Sequence, residues 1–281
     1  MTELKKQISA SLKKDLEAGE LILPSLPEVA MTIQQEVKKK SSTASSVAKV
    51  IFLDPGLTAH FLKVANSPLY RTQNRVNALP DAIGLIGIES VLNMALTYTM
   101  RTMFVSTEGA WKKVLIHQWN EATELAAIVA VLADYLPDME SEHCMVAAML
   151  QNIGALPLIN HLQHFPELEE QDVELLVEEN ATKAGLALIK LWGLGKTFED
   201  AVKARNNWKF ESTPYLDTTD LITIARYHYL KEKQHLEECP PTSEIPAFRH
   251  LEKLDFTAEM SMQWIDSARE KIRAIKRMLC M

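Results

Sequence analysis

Apolar residues recur along this chain at three- and four-residue steps, the period of an α-helix. Leu4, Ile8, Leu12 and Leu16 step evenly through 3–18, and Val29, Ile33 and Val37 form one stripe in 26–39. Val47, Val50 and Ile51 mark 43–53, where Thr43 and the neighbouring serines are placed to cap the start. Asp54-Pro55 then restarts the chain, since an Asp N-cap followed by Pro at the first helical position opens a helix. That helix is predicted to run through Leu57, Phe61, Leu62 and Val64 and to stop at Asn66-Ser67-Pro68, where Asn tolerates left-handed geometry and Pro cannot continue. Residues 69–78 read as a polar loop.

The same period continues to the end of the chain. A short helix at 80–86 ends at Gly87, and 88–104 carries Val91, Leu92, Ala95, Leu96 and Met103. Helices are predicted over 110–135, 141–161, 170–192, 197–207 and 217–235, with Pro137, Pro166 and Trp192-Gly193-Leu194-Gly195 as stops. Cys239-Pro240-Pro241-Thr242-Ser243 reads as a linker, and 257–280 as one amphipathic helix with Met260, Trp264, Ala268, Ile272, Ile275 and Leu279 on its apolar side. No strand-like alternation and no internal repeat is evident, so the fold class is all-α.

Composition narrows the function classes. The 281 residues are 47% hydrophobic and 24% charged, which suits a folded domain and excludes global disorder. A net charge of -7 argues against a non-specific nucleic-acid binder, which needs a basic face. Cys144, Cys239 and Cys280 are dispersed, with no CxxC, so neither a disulfide framework nor a zinc knuckle is expected. The start, Met1-Thr2-Glu3-Leu4-Lys5-Lys6, lacks a signal core, and no apolar run of membrane-spanning length is read. A cytoplasmic location is the expectation.

Four motifs carry a resemblance. Leu23-Pro24-Ser25-Leu26-Pro27-Glu28-Val29-Ala30 is followed by Leu53-Asp54-Pro55-Gly56-Leu57-Thr58-Ala59 with Leu62-Lys63-Val64-Ala65-Asn66-Ser67-Pro68-Leu69-Tyr70. Then come Ala82-Ile83-Gly84-Leu85-Ile86-Gly87-Ile88 and Ala147-Ala148-Met149-Leu150-Gln151-Asn152-Ile153-Gly154-Ala155-Leu156. In order and spacing they resemble the HDOD family, the HD-related output domains of bacteria, over roughly 20–230. The resemblance implies a multi-helix fold with an N-terminal helical half (1–108) packed on a degenerate HD-like half (109–235). A linker and C-terminal helix (236–281) would follow. It also implies a signalling or regulatory role.

In HD phosphohydrolases a His-Asp pair fills the places held here by Gln151 and Asn152. The resemblance puts His117 at the first histidine position, Ala181 at the next, Arg205-Asn206 at a frequent His-His pair and Arg226 at the final aspartate. Imidazole and carboxylate bind divalent metal, whereas neutral carboxamides replace them poorly and a guanidinium repels a cation. No metal, no cofactor and no catalytic residue are therefore expected.

Other candidate chemistry is sparse. His161 and His164 have i, i+3 spacing but read as a solvated helix end before Pro166. His143 beside Cys144 diverges from it on a helix, and His60 and His228 read as locally hydrogen-bonded. No Gly-x-Ser-x-Gly elbow or phosphate loop is present.

The leading expectation is a non-enzymatic regulatory protein with a protein partner in a bacterial signalling pathway, no nucleic acid and no membrane. Partner contacts are placed at Leu23, Pro24, Asn66, Tyr70 with Arg71, and Trp264, and a homodimer through 257–280 is a further expectation. Two alternatives stay open: a metal-dependent phosphohydrolase of nucleotides or cyclic dinucleotides, and a metal-free phosphate or nucleotide sensor. The sensor would use the former cleft at His117, Gln151, Asn152 and Arg205, because guanidinium and carboxamide groups suit phosphate.

Overall fold

The computed structural model describes residues 3–67, 70, 75–235 and 239–280, and within them the protein is helical with no strand. The side chain of Leu4, together with Pro68, Leu69 and Arg71, lies outside the described residues. The helices are α1 (Glu3–Ala18), α2 (Glu28–Val37), α3 (Ala44–Ile51), α4 (Pro55–Ala65), α5 (Leu79–Ile86) and α6 (Ile88–Ser106). They continue with α7 (Lys112–Asp134), α8 (Ser141–Leu150), α9 (Ala155–Leu162), α10 (Glu170–Trp192), α11 (Lys196–Ala204) and α12 (Thr218–Glu232). The C-terminal set is α13 (Pro246–Glu252), α14 (Ala258–Ser267) and α15 (Arg269–Cys280).

Local chemistry sets the boundaries. The Thr43 hydroxyl accepts from the Ser46 N–H while the Ser46 side chain accepts from the Thr43 N–H, closing a capping box on α3. The Asp54 carboxylate accepts from the Leu57 N–H, and Pro55 occupies the first turn of α4. Gly87 adopts φ 92° and lets α5 and α6 meet at a 105° bend. Asn66 departs from expectation: its backbone sits at φ -91°, ψ 5°, outside the left-handed region. It caps with its side chain instead, donating to the Leu62 and Val76 carbonyls and accepting from the Val76 N–H at 2.9 Å.

Helix α7 is the axis of the molecule. Every residue from Leu125 to Ala133 is buried, as expected for a helix apolar on all sides. Helices α8, α12, α14 and α15 pack around it, while α2 to α6 form the adjoining N-terminal layer. Helix α1 packs on α10, held by an ion pair between Lys5 and Asp172 at 2.7 Å. By its contacts, the first helix sits with the second half of the chain.

Three expectations are corrected. The single helix over 141–161 is two, because residues 151–154 tighten into i to i+3 turns between α8 and α9. Pro157 in the first turn of α9 lacks the N–H that a continuous helix would need there. The C-terminal helix also breaks, at Ala268 (φ -107°), into α14 and α15. And 239–257 is more than a linker: α13 buries Phe248, His250 and Leu251.

The segment Ser141–Leu162 is long and apolar enough to cross a membrane, contrary to the sequence reading, and so are α5 and α6 if taken as one bent span. For Ser141–Leu162, 89% of the apolar window is buried inside the protein, as in a core helix.

Candidate functional site

The turn between α8 and α9 is the centre of the site. Helix α10 crosses directly over it: a Cβ at Gly154 would overlap the Ala181 carbonyl oxygen and stand 2.6 Å from the Gly185 nitrogen. Glycine at 154 and small residues at 181 and 185 allow this approach. It presses Gln151 and Asn152, 2% and 3% exposed, against the ends of neighbouring helices.

Arg205 enters from the C-terminal end of α11 and is itself buried. Its Nε donates to Asn152 Oδ1 at 2.9 Å, one terminal nitrogen donates to Glu178 Oε2 at 2.6 Å, and the other reaches the Glu178 carbonyl at 3.4 Å. Asn152 Nδ2 donates to the Gln118 carbonyl at 3.2 Å and, at 3.5 Å, to Glu121 Oε2. Gln151 Nε2 donates to the Ala148 carbonyl at 2.8 Å. Buried polar groups must be satisfied in this way, and here Arg205, Asn152 and Glu178 satisfy one another.

Beside this network lies a cavity of about 180 Å³, lined among others by Glu121, Gln151, Asn152, Glu178, Arg205 and Arg226. Arg226 projects from α12 with its guanidinium carbon 4.9 Å from the Trp208 ring centre. Burial pushes the Arg226 pKa down, partly countered by the Glu121 and Glu178 carboxylates.

The structure brings Gln151, Asn152 and Arg205 together but not His117. That imidazole is exposed on α7, and Glu121, one turn further on, lines the cavity instead. Glu121 and Glu178 escaped the sequence reading. The signal for Glu121 was the helical phase of α7: Gln118, Glu121, Ala122 and Leu125 recur at the spacing of one face.

These residues do not fit a divalent cation. Asn152 Oδ1 and Glu178 Oε2 accept from Arg205, two guanidinium groups line the cavity, and Glu121 is the remaining carboxylate among its lining residues. Among the described residues no three His, Cys, Asp or Glu side chains are grouped to hold a metal. His164 is exposed and His161 half-buried, its ring 5.8 Å from that of Phe165. His143 packs on Phe198, and His60 on Tyr98 at 5.2 Å between ring centres. His228 Nε2 meets Ser261 Oγ at 2.7 Å while its Nδ1 is buried without a partner.

The expected partner residues are scattered and engaged within the chain. The Pro24 carbonyl accepts from Trp192 Nε1 at 3.0 Å, and Leu23 packs half-buried on the core. Asn66 is spent on its cap. Tyr70 is half-buried, and burial raises its hydroxyl pKa to about 12. Trp264 stacks on Tyr135 at 4.9 Å and 2° and meets Phe256 edge-on at 5.0 Å. The apolar stripe of 257–280 is folded back: Ile265, Ile275, Met278 and Leu279 are buried, and α14 and α15 pack on α7.

The family model of the HDOD domain matches residues 23–208. An uncharacterised protein of Treponema pallidum (strain Nichols) is 20% identical over 218 residues, 72% of this chain and 41% of that protein. The chain thus spans about two fifths of that relative's length. Among solved structures, a candidate metal-dependent phosphohydrolase from Shewanella amazonensis SB2B superposes with a TM-score of 0.81 at 22% identity, covering 99% of this chain and 100% of that one. An HDOD domain protein of unknown function from Geobacter sulfurreducens gives 0.67 at 19%, covering 97% and 98%. A candidate signal transduction protein from Marinobacter aquaeolei VT8 gives 0.60 at 20%, covering 96% and 61%. At these identities the likeness is one of fold.

Proposed function

The chain belongs to the HDOD family, and from that premise we propose that it is a non-catalytic signalling or regulatory protein of a bacterium, acting through contacts with other proteins. The observation that carries this reading is the Arg205 side chain. By the resemblance it stands at a position that holds a metal ligand in HD enzymes, and it ties Asn152 and Glu178 to each other. A catalytic metal site needs several ligands converging with one position open for water. Here the cavity-lining groups include two guanidinium groups, three carboxamides and two carboxylates, one of which is already paired with Arg205.

Contact with other proteins is supported by apolar side chains left outside the core. Phe52 and Leu53, 70% and 82% exposed, stand together between α3 and α4. Adjacent exposed apolar residues mark interaction surfaces more often than scattered ones.

The test is elemental analysis of untagged protein before and after incubation with manganese, iron and zinc, alongside phosphodiesterase assays. Well under one equivalent of metal and no hydrolysis is expected. One or more tightly held equivalents with metal-dependent hydrolysis would replace this reading by the phosphohydrolase one. For the partner, in-cell cross-linking is expected to recover a defined complex that is lost in Leu53→Asp. A folded protein that cross-links to nothing overturns the protein-contact reading.

A further inference from the structure

Two groups in the α7–α12 cavity have opposite charge and no strong partner. Among the described residues Arg226 makes no hydrogen bond and no ion pair; it packs on the Trp208 face and feels the Glu121 and Glu178 carboxylates only at longer range. Glu121 has the 3.5 Å approach of Asn152 Nδ2, at the outer limit of a hydrogen bond, and among the described residues no ion pair. Both line the same space of about 180 Å³, and they do not pair with each other. The other charges there, Arg205 and Glu178, are joined at 2.6 Å. The cavity is left with one positive and one negative group held apart.

That balance selects the ligand. A polyanion such as a nucleotide would meet the Glu121 carboxylate, and a metal ion would meet the Arg226 guanidinium. The volume is also below the roughly 300–1,000 Å³ usual for drug-sized ligands. A small molecule carrying both charges meets neither repulsion. A partly desolvated guanidinium gains most from a carboxylate, which accepts its planar fork of donors. A carboxylate such as Glu121 accepts from an ammonium group. Leu125 and Leu230 supply apolar walls.

We propose that this cavity binds a small zwitterion of the α-amino-acid type, its carboxylate on Arg226 and its ammonium on Glu121. The inference rests on the metal-free reading of the site given above. It adds a ligand input to a protein otherwise read as acting only through protein contacts.

The experiment is titration calorimetry of the full chain with glycine, serine and glutamine. Acetate and methylammonium serve as single-charge controls and inorganic phosphate as the anion control, with metal content measured on the same batch. Saturable binding of at least one amino acid is expected, with none of acetate or methylammonium at equal concentration. Affinity is expected to fall by about tenfold or more in Arg226→Gln and in Glu121→Gln. Leu230→Phe, which fills the cavity from α12, is a second route to the same loss should a charge variant fail to fold. Failure of all three amino acids to saturate metal-free protein overturns the inference alone. So does acetate or phosphate binding as tightly as the zwitterion, or undiminished binding in folded variants. A metal-loaded protein overturns the functional reading beneath it.

Discussion

Arg205 Nε donates to Asn152 Oδ1 at 2.9 Å, and this bond joins the end of α11 to the turn between α8 and α9. Its partners make it a structural device. Arg205→Ala strands the buried Asn152 oxygen and releases Glu178, whose side chain is 48% exposed. Because Glu178 can recover water, the expected loss is about 2–3 kcal/mol, below the cost of breaking a fully buried pair. Arg205→Lys is expected to lose much of the same amount, since an ammonium cannot reproduce the fork. The midpoint of urea unfolding checks both.

Introducing a His-Asp dipeptide at 151–152 is not expected to create a metal site. In the double variant Gln151→His with Asn152→Asp, the new carboxylate is expected to take over the Arg205 contact as an ion pair, with Arg226 still beside it. Metal content after manganese incubation is expected to stay well under one equivalent.

Gly154→Ala is expected to be among the most damaging single changes. The added methyl meets main-chain atoms of α10, which cannot swing aside as a side chain can. A loss of about 3 kcal/mol or more, or failure to fold, is expected. Gly84→Ala, inside α5 where a Cβ meets nothing within 4 Å, is the matched control and should leave the unfolding midpoint unchanged or slightly raised, because alanine is the better helix former.

Acid is expected to destabilise the protein over a defined window. Burial holds His60 and His228 down at about 4, with neighbouring Arg101 and Lys63, and Lys231, pushing the same way. In the unfolded chain they titrate near 6.5. Between those values the unfolded chain binds more protons, so their contribution is whole above about pH 6.5 and is lost as pH falls toward 4. Asp220 runs the other way. Its burial, only partly offset by His250, raises it to about 6, so its contribution is present at low pH and is lost as pH rises from its unfolded value toward 6. With each histidine worth up to about 3 kcal/mol, two outweigh one carboxyl. The unfolding midpoint is expected to fall between pH 6.5 and 4.5, and less steeply in His228→Asn.

Trp264→Ala removes the Tyr135 stack and the Phe256 edge contact together. The expected loss is about 2–3 kcal/mol, as for a half-buried aromatic residue. Light scattering is expected to give the same mass for both proteins.

Most helices were legible because their signals are local. Thr43 and Asp54 cap where expected, and Gly193 ends α10 in the left-handed conformation. The break after Leu150 was missed although Gly154 and Pro157 announce it, because the apolar period runs on through the turn. Helix α13 was missed because its seven residues are too short for periodicity to speak. At the site, Gln151 and Asn152 stood out as departures from a motif. Glu121 and Glu178 did not, because an acidic residue on an amphipathic helix usually faces water. Only tertiary packing turns these two toward Arg226 and Arg205.

Helix α15 covers α7, whose residues are made about 150 positions earlier, as the Lys276–Glu124 ion pair records. Contacts so distant along the chain pay a loop-closure cost before they return any stability, which slows folding. Until α14 and α15 have been made, the flank of α7 around Ile128 lacks the apolar cover they supply. The nascent protein is thus open to aggregation until α15 has emerged, and a stop codon anywhere within α15 would make that state permanent.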